Sequence, residues 1–149
     1  MIYIGSSESI ITEFKDCMMK NFEMSDFGLL HYFLGLKAKQ GIDGVFLSQR
    51  KYATDLLKKF TKVNCNVATT PININEKLCH DDGSEMANVT YFRSLVGGLN
   101  YLSHTRPDIA FSVGVIWRFM HKPSKLHLVA AKRVLRYIAG KTEHGIFYS

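Results

Sequence analysis

The chain has 149 residues, of which 46% are hydrophobic and 21% are charged, and its formal net charge is +6. This length allows one substantial core or two small lobes, and excludes a series of several domains. No segment approaches the roughly 20 apolar residues that a membrane span needs, and the start lacks the basic-then-apolar pattern of a secretory signal. We therefore expect an intracellular protein that is not secreted, in a compartment that the sequence leaves unknown.

The positive charge is concentrated in the second half of the chain. Residues 1–90 contain 10 Lys/Arg and 11 Asp/Glu, whereas residues 91–149 contain 9 Lys/Arg and only two acids, Asp108 and Glu143. A basic field suits a polyanion such as nucleic acid, and a solubilising surface would have the same composition. Charge alone leaves both interpretations open.

The first 30 residues predict a short strand and a helix. The β-favouring run Met1–Gly5 stops at a glycine before it completes a strand. Serines suited to a helix N-cap follow, and apolar residues then repeat at helical spacing at Ile10, Ile11, Phe14, Met18 and Phe22. The pattern predicts an amphipathic helix of about four turns.

A β-hairpin and a second helix are predicted next. Tyr32–Lys39 is typical of one strand, and Val45–Leu47 is typical of its partner across the turn Gly41–Gly44. Ser48 is suited to cap a helix whose apolar face lies within Tyr52–Phe60.

The rest of the chain predicts a connector, three helices and the start of a strand. Residues 61–86 lack periodicity and contain the acidic segment Asp81–Glu85, which indicates a flexible tip. Gly145–Ser149 has the composition of a strand that begins and stops. The three helices are expected from Asn88 to about His104, from Pro107-Asp108 onward, and from Pro123-Ser124 to Gly140.

These elements predict an α+β fold, in which a small β-hairpin portion with a helix is followed by a mainly helical bundle. We divide the chain into a hairpin region at residues 1–62, a connector at residues 63–87 and a helical region at residues 88–149. Because both ends carry interrupted β-structure, we expect neighbouring sequence to be missing.

The helix that begins after Asn88 has two distinct faces. Its apolar face consists of Phe92, Leu95, Val96, Leu99 and Leu102. Arg93, Gly97 and Tyr101 lie on the opposite face, where a ring and a bare glycine have no evident packing role. Glycine inside a helix costs about 1 kcal/mol relative to alanine, so the pair Gly97-Gly98 indicates that something approaches this backbone closely. Another protein helix and a nucleic acid would both fit.

The last predicted helix carries a basic stripe within about 100° of the helical wheel. It consists of Lys125, Lys132, Arg133 and Arg136. The last three residues are candidates for phosphate contacts, and a solvated surface would account for them equally well.

No catalytic or metal-binding set stands out in the sequence. Asp81 and Asp82 are adjacent in a Gly/Ser-containing loop, without a third acid held near them. The six histidines are scattered, and most of them are expected at the surface or half-buried. The three cysteines lack zinc-ligand spacing and are expected to be reduced thiols. We predict no catalytic residue and no metal site in this chain.

Five segments, taken in chain order, resemble one known family. They are His31–Leu36, Phe46–Gln49 with Lys51–Ala53, Tyr91–Leu102, Thr105–Ile109 and Lys132–Tyr137. Together they are similar to the reverse transcriptase region of copia-type long-terminal-repeat retrotransposons, and the resemblance covers nearly the whole chain. The chain differs from the usual family residues at Lys37, Trp117 and Lys141-Thr142.

The resemblance implies where the family's chemistry lies. The family's Tyr-Val-Asp-Asp turn, whose aspartates hold catalytic magnesium, would come just before Met1 and is absent from this sequence. The resemblance therefore implies a palm-edge and thumb fragment of an RNA-directed DNA polymerase that binds no magnesium and is inactive alone. The remainder of a Pol polyprotein is an expected partner, and a membrane is not.

The resemblance also implies binding elements for RNA, DNA or an RNA–DNA duplex. The helix that contains Tyr91–Leu102 resembles the thumb helix along the duplex minor groove, which would place Arg93, Gly97 and Tyr101 against nucleic acid. A primer-grip-like hairpin would comprise Phe33, Leu34, Gly35 and Leu36, for which strand packing is the alternative role. Two other functions stay open: a non-catalytic basic nucleic-acid-binding module, and an unselected product of a decayed element.

Overall fold

A computed structural model describes residues 3, 5–60, 65–73 and 77–149. Clustering of these residues gives two compact units, Met1–Leu30 and His31–Ser149. The described residues form five α-helices and a four-stranded antiparallel sheet, which confirms the predicted α+β fold. None of these helices has both the length and the apolar character that crossing a membrane requires.

The first unit is built on helix α1, Glu8–Asn21. The helix follows Ser7, whose backbone is extended, and carries acidic Glu8 in its first turn and basic Lys20 in its last, as the helix dipole favours. No side chain of α1 is buried. The helix prediction is confirmed, whereas the predicted opening strand falls largely on positions 1, 2 and 4, which lie outside the described residues.

The sheet of the second unit has the order β1-β2-β3-β4. Its strands are Tyr32–Phe33, Leu36–Gly41, Gly44–Ser48 and Gly145–Tyr148. The hairpin of β2 and β3 across Gly41–Gly44 is confirmed. The expectation of one continuous strand over Tyr32–Lys39 is wrong, because a tight turn separates β1 from β2.

The predicted strand at the end of the chain exists, and it pairs with β3 at a separation of about 100 residues. Gly44 has a φ of +147°, and a Cβ atom there would lie 2.0 Å from the Tyr148 carbonyl oxygen. The absence of a side chain at Gly44 therefore allows β4 to approach the hairpin.

Four helices complete the second unit. They are α2, Arg50–Lys59; α3, Val89–Ser103; α4, Pro107–Trp117; and α5, Lys125–Ala139. Asn88 caps α3, Ser124 caps α5 and Gly140 ends α5, as predicted. The predicted cap of α2 is wrong: Gln49 occupies that position in place of Ser48, and its side chain accepts a hydrogen bond from Thr105 instead of capping the helix.

The core of the second unit lies around α3. The five residues of its predicted apolar face are all 0–1% exposed, which confirms that face. They pack with residues of α2, α4 and α5 such as Leu56, Ile109, Val134 and Ile138. Burial of several large aliphatic and aromatic side chains is the main favourable term for this bundle.

A buried arginine connects the helices to the sheet. Arg106 lies between α3 and α4, is 2% exposed, and donates through Nε and Nη2 to the two carboxylate oxygens of Asp108 at 2.9 and 2.8 Å. Its Nη1 donates to the carbonyl of Lys141, which follows α5, at 2.7 Å. Although burial of Asp108 opposes its ionisation, the Arg106 guanidinium lowers the pKa of that carboxyl.

The acidic segment before α3 is attached to α5. Asp82 accepts hydrogen bonds from the hydroxyls of Ser84 and Ser124, and the Lys125 amide donates to the carbonyl of Glu85 at 2.8 Å. His127 completes the cap, because its Nδ1 accepts from the Ser124 amide at 2.9 Å. The prediction of a flexible tip at Asp81–Glu85 is therefore wrong. The segment is anchored, because Asp82 accepts a hydrogen bond from Ser124, the N-cap residue of α5.

We predict that Arg106→Ala lowers the free energy of unfolding by about 3 kcal/mol, because it removes the guanidinium that pairs with Asp108 and donates to the Lys141 carbonyl. Urea denaturation measures the change. The control is Arg50→Ala, which breaks the exposed pair of Arg50 with Glu143 and is expected to cost at most about 1 kcal/mol. Equal losses in the two variants would contradict the role assigned to Arg106.

Asp82 predicts an acid-dependent loss of stability. Hydrogen bonds from Ser124 and Ser84 lower the pKa of Asp82 from 3.8 to about 2. Because the folded-state pKa is the lower one, the stabilisation is complete above about pH 4 and is lost as the pH falls towards about 2. The free energy of unfolding should therefore fall more steeply over this window in the wild type than in Asp82→Asn. Asp81→Asn, at the exposed neighbouring position, should retain the wild-type slope.

Candidate nucleic-acid interface

The structure places Arg93, Gly97 and Tyr101 together on the exposed face of α3. Arg93 is held at the N-terminal end of this face, because its Nε donates to the carbonyl of Met120 at 3.0 Å. That bond uses one of the guanidinium nitrogens and fixes the side chain across the end of α4. The terminal nitrogens of Arg93 have no partner among the described residues, so they are available for a phosphate.

The adjacent glycines of α3 have different roles. A Cβ atom on Gly98 would lie 2.5 Å from Leu56 Cδ1 and 3.4 Å from the Tyr52 hydroxyl, so α2 packs against this position. A Cβ atom on Gly97 would meet no atom within 4 Å. Protein packing, the alternative left open by the sequence, therefore accounts for Gly98, whereas Gly97 lies beneath open space.

Tyr101 has a structural partner that the sequence did not reveal. Its hydroxyl donates to the carbonyl of Leu34, and its ring meets that of Tyr52 edge to face at a centroid distance of 4.7 Å. The expectation that Tyr101 has no packing role is therefore wrong. The side chain still leaves 37% of its surface exposed, so the ring connects the hairpin to α3 and forms part of the open face.

The primer-grip-like residues form the turn between β1 and β2. Leu34 and Gly35 have φ values of +45° and +80°, respectively, and Phe33 pairs with Leu36 across them. A positive φ is unfavourable for leucine. The carbonyl of Leu34 is anchored by Tyr101, so a contact from α3 supports this turn. Leu34 itself is 72% exposed and points away from the core.

The basic stripe of α5 is largely occupied by internal contacts. Arg133 donates to the Thr70 hydroxyl at 3.0 Å, and Arg136 donates to the Asn66 carbonyl at 2.7 Å. The Lys132 ammonium lies 5.7 Å from the centre of the Tyr91 ring. Arg133 and Arg136 thus fasten the connector to α5, whereas Lys132 contacts α3. The assignment of all three as phosphate contacts stays a prediction.

Other buried polar residues were missed by sequence reasoning. His127 is 0% exposed, whereas most of the histidines are predicted to be exposed or half-buried and the sequence does not single this one out. Its Nε2 lies 3.0 Å from the Cys79 carbonyl, and its ring stacks on Phe119 at a centroid distance of 3.8 Å. The spacing of His127 three residues after Ser124 is the available sequence signal, because it is the spacing of a capping box.

The described residues do not fit the metal site of a polymerase. Within residues 3, 5–60, 65–73 and 77–149, no group of three or more His, Cys, Asp or Glu side chains is placed to hold a metal ion. Asp81 and Asp82 are the adjacent acids considered for a metal site from the sequence. The carboxylate of Asp82 is already bonded to Ser84 and Ser124. No catalytic step is therefore assigned to these residues.

Comparisons with known proteins connect the chain to one family. The model of the family "Reverse transcriptase (RNA-dependent DNA polymerase)" matches residues 1–74. The retrovirus-related Pol polyprotein from transposon RE1 of Arabidopsis thaliana is 40% identical over 99% of the chain, and that from transposon TNT 1-94 of Nicotiana tabacum is 36% identical over 95%. The chain spans about a tenth of each polyprotein, covering 10% and 11% of their lengths. No solved structure matches significantly.

A shorter relative covers the same region. An uncharacterized mitochondrial protein of Arabidopsis thaliana is 36% identical over 99% of the chain, which spans 61% of that protein. The family match and the polyprotein relatives define the class: residues 1–74 belong to the reverse transcriptase family. The chain as a whole corresponds to part of the Pol polyprotein of copia-type retrotransposons.

We predict that Tyr101→Phe destabilises the second unit by about 1 kcal/mol, because it removes the donor to the Leu34 carbonyl and keeps the ring. Chemical denaturation measures the change. Tyr32→Phe removes a hydroxyl from the same hairpin at a half-exposed position and is expected to leave stability unchanged. An equal response of the two variants would show that the Tyr101 hydroxyl does not anchor the turn.

Proposed function

We propose that this chain holds a template–primer duplex on the exposed face of α3 and does not extend the primer by itself. The proposal rests on the open backbone at Gly97, which lies between a cation, Arg93, and a partly exposed ring, Tyr101. Eight residues separate Arg93 from Tyr101, which corresponds to about 12 Å along a helix. A face of this length can follow the backbone of one strand over a few nucleotides.

The chemistry of the three positions supports a duplex as the ligand. Arg93 offers guanidinium donors suited to phosphate oxygens, and Gly97 allows a sugar–phosphate backbone to approach the helix closely. Tyr101 adds an aromatic surface beside the β1–β2 turn. The surroundings are basic, since residues 91–149 contain 9 Lys/Arg and two acids, and such a field attracts a polyanion.

The non-catalytic part of the proposal follows from the carboxylates. Phosphoryl transfer by a polymerase uses two metal ions clamped between attacking and leaving oxygens, which requires several converging acids. The described part of the chain offers no such convergence. The chain would therefore bind and orient a duplex whose extension requires carboxylates from elsewhere.

The central test compares Gly97→Leu with the wild type in a titration of a blunt RNA–DNA hybrid. We expect Gly97→Leu to bind about tenfold more weakly, which corresponds to about 1.4 kcal/mol, because its side chain fills the space that the duplex needs. The control is Gly114→Leu, which fills equally open space on α4 and should bind as the wild type does. Circular dichroism verifies that both variants are folded.

Salt dependence and primer extension complete this test. Arg93→Gln should reduce the slope of log affinity against log salt by about 0.9, the value for one lost phosphate contact on a duplex. Primer extension by the wild-type chain with magnesium would refute the non-catalytic part of the proposal. A folded wild-type chain without affinity for the hybrid would refute the duplex-binding part.

A further inference from the structure

Among residues 91–149, which the structure describes in full, two cations without an internal partner follow the end of α4. Many basic side chains of α3, α5 and the following segment are engaged: Arg106 with Asp108, Lys125 with Glu85, Arg133 with Thr70, Arg136 with the Asn66 carbonyl, and Lys132 and Lys141 over tyrosine rings. Arg118 and Lys122 are exposed and have no hydrogen bond or ion pair among the described residues. Of the basic residues in the second half of the chain, Arg118 and Lys122 are therefore the ones whose whole charged group is free to bind a ligand.

An exposed tryptophan immediately precedes Arg118 in the chain and lies five residues before Lys122. Trp117 is the sole tryptophan of the chain and is 45% exposed. It lies nine residues after Asp108, which is half a revolution away on the helical wheel. Because Ile109, Val113 and Ile116 form the buried side of α4, the exposed Trp117 lies off its core-facing side. Tryptophan is highly buried on average, so its exposure beside two free cations is unusual.

Backbone contacts place this patch at one end of the α3 face. The Met120 amide donates to the Trp117 carbonyl at 3.1 Å, and the Met120 carbonyl accepts from Arg93 Nε at 3.0 Å. A duplex that follows α3 from Tyr101 to Arg93 would therefore leave the face where α4 ends. A strand that continues past the duplex would meet Trp117, Arg118 and Lys122.

We infer that Trp117, Arg118 and Lys122 form a site for unpaired nucleotides that extend from the duplex, an inference that rests on the proposed duplex binding. The indole ring can stack on a base of any sequence, and the two cations can contact the flanking phosphates. Asp81 and Asp82 line a pocket together with Lys122, and Asp82 is bonded to Ser84 and Ser124. The two acids of residues 91–149 are paired elsewhere, Asp108 with Arg106 and Glu143 with Arg50.

The test uses a blunt RNA–DNA hybrid and the same hybrid with a single-stranded extension. Emission from Trp117 reports its environment without a label, since the chain has no other tryptophan. We expect the extension to quench this emission and to raise affinity about tenfold, as stacking of one base does. The blunt hybrid should bind without quenching.

Two matched pairs of variants separate stacking from charge, with affinity measured by anisotropy of labelled nucleic acid. Trp117→Ala should lose the added affinity for the extension, whereas Phe111→Ala, at a 76% exposed aromatic position on another side of α4, should keep it. The double change Arg118→Gln with Lys122→Gln should lower the salt slope for the extended hybrid by about 1.4. The exposed pair Lys51→Gln with Lys58→Gln on α2 should leave that slope unchanged.

The outcomes distinguish this site from the proposed function. If the wild type binds the blunt hybrid but the extension adds neither affinity nor quenching, the site on α4 is refuted and duplex binding stands. If Trp117→Ala behaves as Phe111→Ala does, the site is likewise refuted, and the exposed indole becomes available to a protein partner instead. A folded chain that binds neither ligand overturns both proposals.

Discussion

The buried guanidinium of Arg106 determines how the helical and β portions of the second unit join. It neutralises Asp108 in the first turn of α4 and holds the Lys141 carbonyl just beyond the end of α5. From that point the chain enters β4, which pairs with β3 of the hairpin. A lysine could not replace Arg106, because a single ammonium lacks the planar fork that grips a carboxylate with two parallel bonds. Arg106 thus fixes the start of the segment that leads into β4 and so contributes to the position of the hairpin beside the bundle.

The candidate interface depends on the same junction. The hairpin presents the Leu34 carbonyl to Tyr101 of α3, and the ring of Tyr101 in turn packs on Tyr52 of α2. The turn with an unfavourable Leu34 backbone is thereby supported by a contact that spans 67 residues. Tyr101 is a structural connection first, and its exposed edge becomes part of a binding face because that connection holds it in place.

The basic residues that are most conspicuous in the sequence are not the ones that the fold leaves free to bind a ligand. The sequence gives α5 the most conspicuous basic stripe, yet Arg133 and Arg136 bind segments of the connector. Among residues 91–149, the cations without an internal partner in the described structure are instead Arg118 and Lys122, which follow α4, the helix whose end Arg93 reaches from α3. The basic field of the second half of the chain is therefore directed towards the α3–α4 side, which is where both proposed contacts with nucleic acid lie.

The sequence by itself determined the helices of the bundle, the caps at Asn88 and Ser124, and the apolar face of α3, because periodicity and capping are local properties. It also separated Arg93, Gly97 and Tyr101 from that apolar face. Only the tertiary structure decided the β1–β2 turn, the partner of β4, the cap of α2 and the different roles of Gly97 and Gly98. Each of these features depends on a contact with a residue distant in sequence: Tyr101, Tyr148, Thr105 and Leu56. A local sequence pattern does not indicate which distant residue will pack against it.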